Sequence, residues 1–522
     1  MISKLKSTII QKSLFSKSKS LVFATILILV PLAYKICLSA RYGKLSGELT
    51  YDDISYFSAG MRYVALFKTS PLDFFNYFYT EPPSSLFLAM LSFFTQYFFN
   101  NNPTLIYFCS GLIISLLVLC LAQVIFKRFI HSVLATSIFI LSPFSSFYLI
   151  NYRPDTFFSL IFAIIIAMVT LNFKKYFYWI PALIWALFFT KPHFAVFIGL
   201  LLTYILFKVI KYDYLHLIFS RSYFKIFSLI STISIFLYWN GFKETITYIY
   251  ANTYGNQVHW WKGSESVESV LISNLFNFAE NSGGVTFCLL ALLYILLGLK
   301  LNNEIFRSKE IYAPLFLLFA GSFLIATFGG TPSAFFFLPC SSITLFLVFL
   351  STKNIQDVFA EKARIPFLYF SIIGILILRG LFPVAEWGAT SMKAVGNINT
   401  SLSRFVDNNS TGQTLVAFIG PVNVDALNFY SHHILWNPPQ QNYQFSFLQS
   451  GSEADINNYV GTMSRYNNIL FVDGYYNNLT NMYVPNNRYQ KTIETTMLKF
   501  YGEENFKKLL YGPFTLFQRS VE

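Results

Sequence analysis

The sequence predicts a polytopic α-helical membrane protein, with about eleven spans plus a partial or surface helix, followed by a C-terminal α/β extracytoplasmic domain. Three observations carry that expectation. The chain has 522 residues, 54% hydrophobic, 19% aromatic and only 12% charged, against about 25% charged in an average soluble chain. Apolar runs of spanning or near-spanning length recur from Leu21 to Val384. Beyond Val384 those runs stop, and Asn, Tyr and Gly take over. The boundary divides a transmembrane module, residues 1–384 with an outer loop at 41–83, from a soluble module, residues 385–522.

Charge narrows the class further. The net charge is +13, but its basic residues fall in short loops between apolar runs. That is the positive-inside pattern, and it excludes a nucleic-acid partner because no basic patch lies outside those loops. Cys37, Cys109, Cys120, Cys288 and Cys340 lie in or beside apolar runs without metal-ligand or paired spacing, so they read as small helix residues. Met1 to Ser20 carries Lys4, Lys6, Lys12, Lys17 and Lys19 and no acid. Leu21–Ala40 then reads as an uncleaved first span with a cytoplasmic N-terminus.

The first span leads to the outer loop, where Asp52 to Phe67 reads as an amphipathic surface helix with Ile54, Phe57, Met61 and Val64 near one face. Ser84–Phe99 is short for a span. If it crosses fully, Lys127-Arg128 falls outside; if it is partial, Lys127-Arg128 is cytoplasmic and Asp155 joins Asp52 on the outer face. The second reading lets the remaining spans alternate with every unbalanced basic cluster inside. They are Thr104–Phe126, Ser132–Ile150, Thr156–Leu171, Tyr176–Phe189, Phe194–Phe207, Phe224–Trp239, Gly284–Leu299, Tyr312–Phe328, Ser333–Leu350 and Ile365–Val384, with a long loop at 241–282. In the terminal module, Thr414–Gly420, Asn468–Gly474 and Phe514–Arg519 read as strands, and Asp425–Tyr430 as a helix start.

Acids at a bilayer edge are costly without a partner or a task. This topology gathers Asp52, Asp53, Glu81 and Asp155 on the outer face, with Arg153, Lys191 and His193 beside them. A carboxylate there suits a general base, and a cation suits a phosphate leaving group. The combination fits transfer from a lipid phosphate donor. The converging carboxylates leave room for a divalent cation such as Mg or Mn, though nothing in the spacing demands one. The plainer reading of any one of these residues is a loop ion pair or a helix cap.

The ordered set Asp52-Asp53-x-x-Tyr56-x-x-Ala59, Pro82-Pro83, Arg153-x-Asp155 and Thr190-Lys191 resembles the C-type membrane glycosyltransferases. The nearest branch is the protein O-mannosyltransferase and lipid A aminoarabinose transferase group. The resemblance covers residues 20 to about 200 by motif and the later spans by hydropathy. It implies an inverting hexosyl- or pentosyltransferase using a polyprenyl-phosphate sugar donor, with an external active site. It further implies a lipid, glycan or protein acceptor and a bacterial inner (plasma) membrane. Asp52 matches the family's acceptor-activating carboxylate, and Asp155 matches its second outer-loop acid. Asp53 stands where Glu is usual, and Ser84 replaces a usual Leu. Glu81 lacks the Lys that follows it in some members, which moves that phosphate contact toward Lys191 or Arg62. Tyr56, Glu81, Arg153 and His193 complete the implied substrate-binding set.

Other features carry less. Asn256–Lys262, with Trp260 and Trp261, reads as an interfacial aromatic belt before it reads as a sugar grip. His432-His433 has no metal-spaced partner, and Gly329–Ser333 reads as a turn. Phe335-Phe336-Phe337 stands where the family has an aromatic-rich helix start. The competing function is a transporter or flippase of a lipid-linked sugar. It would call for mid-membrane ionisable residues or two related halves, and the sequence displays neither.

Overall fold

A computed structural model describes residues 22–41, 45, 52–80, 85–99, 103–253, 267–282, 284–301, 309–328, 334–361, 414–419, 443–448, 453–472, 475–477, 482–484, 487–511 and 514–519. Several expectations fall outside these residues: Glu81-Pro82-Pro83-Ser84, Asn256–Lys262, Gly329–Ser333, the Ile365–Val384 span, Asp425–Tyr430 and His432-His433. The chain divides into two units. The first is Met1–Leu38 with Tyr63–Val384, and the second is Ser39–Arg62 with Ala385–Glu522.

The first unit is helical. In chain order the helices are α1 (Val22–Arg41), α2 (Asp52–Thr69, which begins in the second unit), α3 (Pro71–Thr80), α4 (Leu86–Phe99) and α5 (Pro103–Phe126). Next come α6 (Phe129–Leu141), α7 (Ser146–Leu149), α8 (Pro154–Tyr176), α9 (Ile180–Thr190) and α10 (Ala195–Lys211). They are followed by α11 (Leu215–Ile218), α12 (Arg221–Leu237), α13 (Trp239–Thr253), α14 (Val267–Asn281), α15 (Val285–Leu301), α16 (Lys309–Phe328) and α17 (Leu338–Glu361). Among the described residues five helical stretches are long and apolar enough to cross a membrane, or six if the bent pair Phe129–Leu141 and Pro143–Leu149 is one span.

One of those stretches, Pro154–Thr190, is a hairpin. Asn172 leaves helical geometry (φ −159°, ψ 62°), and a 3-10 turn at Phe177–Trp179 follows. The Asp155 carboxylate at the start of α8 meets the Lys191 ammonium just past the end of α9, so the chain has doubled back. The expected single span Ser132–Ile150 is broken instead, with α6 and the segment after it bent by 75°. Serine and proline cause the break. Pro143 cannot continue the helical ladder. The Ser142 and Ser145 hydroxyls bond back to the carbonyls of Phe139 (2.7 Å) and Ile140 (2.6 Å). The Ser142 carbonyl is taken up by the Lys35 ammonium of α1 at 3.1 Å. The expected 241–282 loop also contains helix, α13 at its start and α14 at its end.

α5, α8 and α17 run in the same direction. At one end Tyr107 of α5 meets Tyr152 (ring centroids 6.3 Å apart), and Phe335, just before α17, meets Phe147 (4.7 Å). At the other end Gln123, Asn172 and Asn354 line one cavity. α8 is the axis of this arrangement, buried from Pro154 through Ala167. Beside it, α3, α4 and the second half of α2 form an aromatic cluster in which Phe74 stacks on Phe93 at 5.2 Å. The Ser85 hydroxyl caps α4 through the Leu88 amide (3.4 Å).

The described part of the second unit holds the first turns of α2, two further helices, α18 (Glu453–Thr462) and α19 (Asn487–Tyr501), and seven strands. β1 (Thr414–Ile419), β2 (Tyr443–Leu448), β3 (Asn468–Val472), β6 (Phe506–Tyr511) and β7 (Phe514–Arg519) form a sheet in the order β2-β1-β3-β7-β6. β2 and β3 are parallel to β1; β7 is antiparallel to β3 and to β6. β4 (Tyr475–Asn477) and β5 (Met482–Val484) make a separate hairpin. Leu415, Ile469 and Phe517 are paired in register, so they lie in one row on one face of the sheet. Ile493 and Met497 of α19, with Ile456 and Val460 of α18, join them in one core at helical spacing.

Candidate functional site

Two cations of the expected set stand immediately before prolines, and that placement builds the site. A residue preceding Pro is driven out of helical geometry into extended backbone. Arg153, before Pro154, has φ −130° and ψ 142° and caps the start of α8. Lys191, before Pro192, has φ −151° and ψ 87° and ends α9. Each side chain therefore leaves from a helix end, and the α8–α9 hairpin brings the two ends together.

Asp155 occupies the first turn of α8, where the helix dipole favours an anion. Its side chain is fully buried, and one oxygen, Oδ1, binds the Lys191 ammonium. The other oxygen, Oδ2, is buried without a hydrogen-bond partner. A buried acceptor left in that state costs about 1–3 kcal/mol, more when the group is charged. The turn around it is tied down locally. The Arg153 carbonyl accepts from the Thr156 hydroxyl at 2.7 Å, and the Thr156 carbonyl accepts from the Ser159 hydroxyl at 2.9 Å.

Aromatic rings seat both cations. The buried Arg153 guanidinium lies 3.5 Å above the Phe335 ring centre. The Lys191 ammonium lies 4.2 Å from the Phe194 centroid and 5.2 Å from that of Phe336. Phe335 and Phe336 are neighbours on the single 3-10 turn Ala334–Phe337. Phe194 packs against Phe336 at 5.1 Å and edge-on against Phe158 at 4.9 Å, closing the aromatic wall. Each cation–ring contact is worth about 0.5–2 kcal/mol, toward the upper figure where water is excluded. These rings were not legible as site residues. In a chain with 60 Phe, aromatic residues mark nothing singly, and the signal that touched them was the resemblance, which sets Phe335-Phe336-Phe337 at an aromatic-rich helix start.

The site thus unites Arg153, Asp155 and Lys191, with His193 partly buried on the turn Pro192–Phe194 that follows. Two hydrogen-bonding cations beside a carboxylate with an open oxygen can hold a phosphate and orient a hydroxyl. Glu81 lies in the first unit outside the described residues, and the other expected residues belong to the second unit. Asp52 and Asp53 open α2, with their side chains outside the described ones; Tyr56 is half-buried and Arg62 exposed on the same helix. Among the described residues, no three His, Cys, Asp or Glu side chains form a metal-ligating group. Three of the four acids behind the metal expectation, Asp52, Asp53 and Glu81, have no described side chain. No protein-family model matches the chain, and no curated protein sequence matches it.

Proposed function

We propose that this chain is an integral membrane glycosyltransferase. It moves a sugar from a polyprenyl-phosphate donor to an acceptor at the outer face, with inversion. The observation that carries the reading is the ring-seated Arg153 and Lys191 around Asp155, whose second oxygen has no partner. Such a group, at the start of a helix that runs about 27 Å before its break at Asn172, suits a phosphate head at the edge of a bilayer. Arg153 and Lys191 bind the phosphate, and Asp155 Oδ2 accepts a hydrogen bond from a sugar hydroxyl. The acceptor-activating base is assigned to Asp52 on the sequence resemblance alone, with Asp53, Tyr56, Arg62, Glu81 and His193 as supporting residues. In the transfer step, the bond between the anomeric carbon and the phosphate oxygen breaks as the acceptor oxygen attacks the opposite face. Its proton passes to the carboxylate base, and the phosphate leaves with the bonding pair. The eleven-span topology and an extracytoplasmic α/β domain formed by residues 385–522 belong to this proposal.

Membranes containing the protein, supplied with labelled polyprenyl-phosphate sugar, test it. Sugar should reach an acceptor, and Asp52→Asn and Lys191→Ala should each reduce transfer by about 100-fold or more per amount of folded protein. Unchanged transfer in both variants would remove these residues from the reaction. Movement of intact labelled lipid across the bilayer, without sugar transfer, would make the protein a flippase.

A further inference from the structure

The far end of the same helices holds a second polar site, about 25 Å along α8 from Asp155, counting seventeen residues to the break at Asn172 at 1.5 Å each. A cavity of about 350 Å³ opens there between the last turns of α5 and α8 and the middle of α17. Lys127, Lys175, Lys353, Gln123, Asn172 and Asn354 supply its polar lining, and no carboxylate lines it. Lys353 is paired with Asp357 at 2.6 Å, but that pair is partly exposed and weakly held. Among the described residues, Lys127 and Lys175 have no carboxylate partner; Lys175 lies over the Tyr176 ring at 5.0 Å.

A buried amide and a half-buried one mark the cavity as built to hold something. Asn354 is 1% exposed, and its Nδ2 donor has no acceptor. Gln123 donates through Nε2 to the Lys127 carbonyl at 3.1 Å, which leaves its buried Oε1 without a donor. An orphaned donor and an orphaned acceptor on facing helices are costly unless a ligand or water meets both. The backbone is irregular on two sides as well. Lys127 sits in the left-handed region (φ 60°) just beyond α5, and Asn172 breaks α8. Non-glycine residues in such conformations gather at ligand sites.

We infer that this cavity binds a phosphate-bearing glycerol headgroup, through Lys127 and Lys175 to the phosphate and through Asn354 and Gln123 to its hydroxyls. The volume is at the small end of ligand sites, which fits a glycerol phosphate. The ligand is anionic because three lysines face the cavity and no acid does. Its position at the basic end of the helices is where anionic lipids meet basic pockets between spans. The headgroup can belong to a bilayer lipid or to a soluble glycerol phosphate. The inference does not depend on the transferase reading.

Native mass spectrometry on the detergent-purified full chain tests it, with phosphatidylglycerol, phosphatidylcholine and soluble glycerol 3-phosphate as separate probes. Phosphatidylglycerol should be retained at least tenfold over phosphatidylcholine, and the Lys127→Gln/Lys175→Gln variant should lose that preference. Asn354→Ala should weaken retention less. Lys225→Gln, a basic residue that does not line the cavity, should behave as wild type, and thermal unfolding should show each variant folded. Lysine-dependent binding of glycerol 3-phosphate, without phosphatidylglycerol retention, would support the same chemistry and assign the soluble source. Equal retention of both lipids with no glycerol 3-phosphate binding would overturn the inference, as would an equal loss in Lys225→Gln.

Discussion

The Arg153 guanidinium lies over Phe335, 3.5 Å from the ring centre, at the entrance to α8. The contact joins two segments nearly two hundred residues apart in the chain and holds a cation in one orientation without neutralising it. In the proposed enzyme, Phe335→Leu keeps the charge and removes its seat. The donor KM should rise about 2- to 30-fold with kcat nearly unchanged, the span expected for losing 0.5–2 kcal/mol of cation–ring attraction. A lower melting temperature with KM unchanged would leave the ring a purely structural role.

The Asp155–Lys191 pair predicts a non-additive stability pattern. Removing one partner of a buried pair strands the other charge, at about 3–5 kcal/mol. Asp155→Leu and Lys191→Met should each lower the melting temperature in detergent, while the double variant recovers most of the loss. Additive losses would mean that the pair carries no coupling and that each residue is held by something else.

The proposed topology fixes sidedness. In it, Asp73 on α3 and Arg128 before α6 face opposite aqueous phases. Asp73→Cys should react with an impermeant maleimide on intact cells, and Arg128→Cys only after permeabilisation. Labelling of both from one side would reverse the partial-helix reading of residues 84–99.

In the second unit, Ile469 lies at the centre of the row Leu415–Ile469–Phe517 and is fully buried. Ile469→Ala should destabilise that sheet by about 2–5 kcal/mol, seen as faster proteolysis within residues 414–519 of the full chain. The exposed Lys499→Ala should leave the digestion rate as it was.

Hydropathy made two of the long helices legible almost to the residue. Thr104–Phe126 was expected where α5 runs from Pro103 to Phe126, and Leu21–Ala40 where α1 runs from Val22 to Arg41. A window of apolar residues, however, cannot register a bend made by hydroxyls. Ser142 and Ser145 satisfy freed carbonyls locally, so α6 breaks inside a run that reads as continuous. In the terminal segment the strands at 414, 468 and 514 were visible from their apolar residues. The helices α18 and α19 were not, because their buried stripes are only three or four residues deep in polar surroundings. At the candidate site, residue types identified Arg153, Asp155 and Lys191. Nothing local signalled that Lys191 would bind Asp155, since the link depends on where the hairpin turns at Phe177–Trp179.

The shared direction of α5, α8 and α17 has an electrostatic consequence. Antiparallel neighbours cancel one another's peptide dipoles, whereas three aligned helices add them, each presenting roughly half a positive charge at its N-terminal end. The Asp155 end is therefore attractive to anions even before a side chain is counted. The opposite end is correspondingly negative, so the lysines gathered there offset a field that the backbone itself creates.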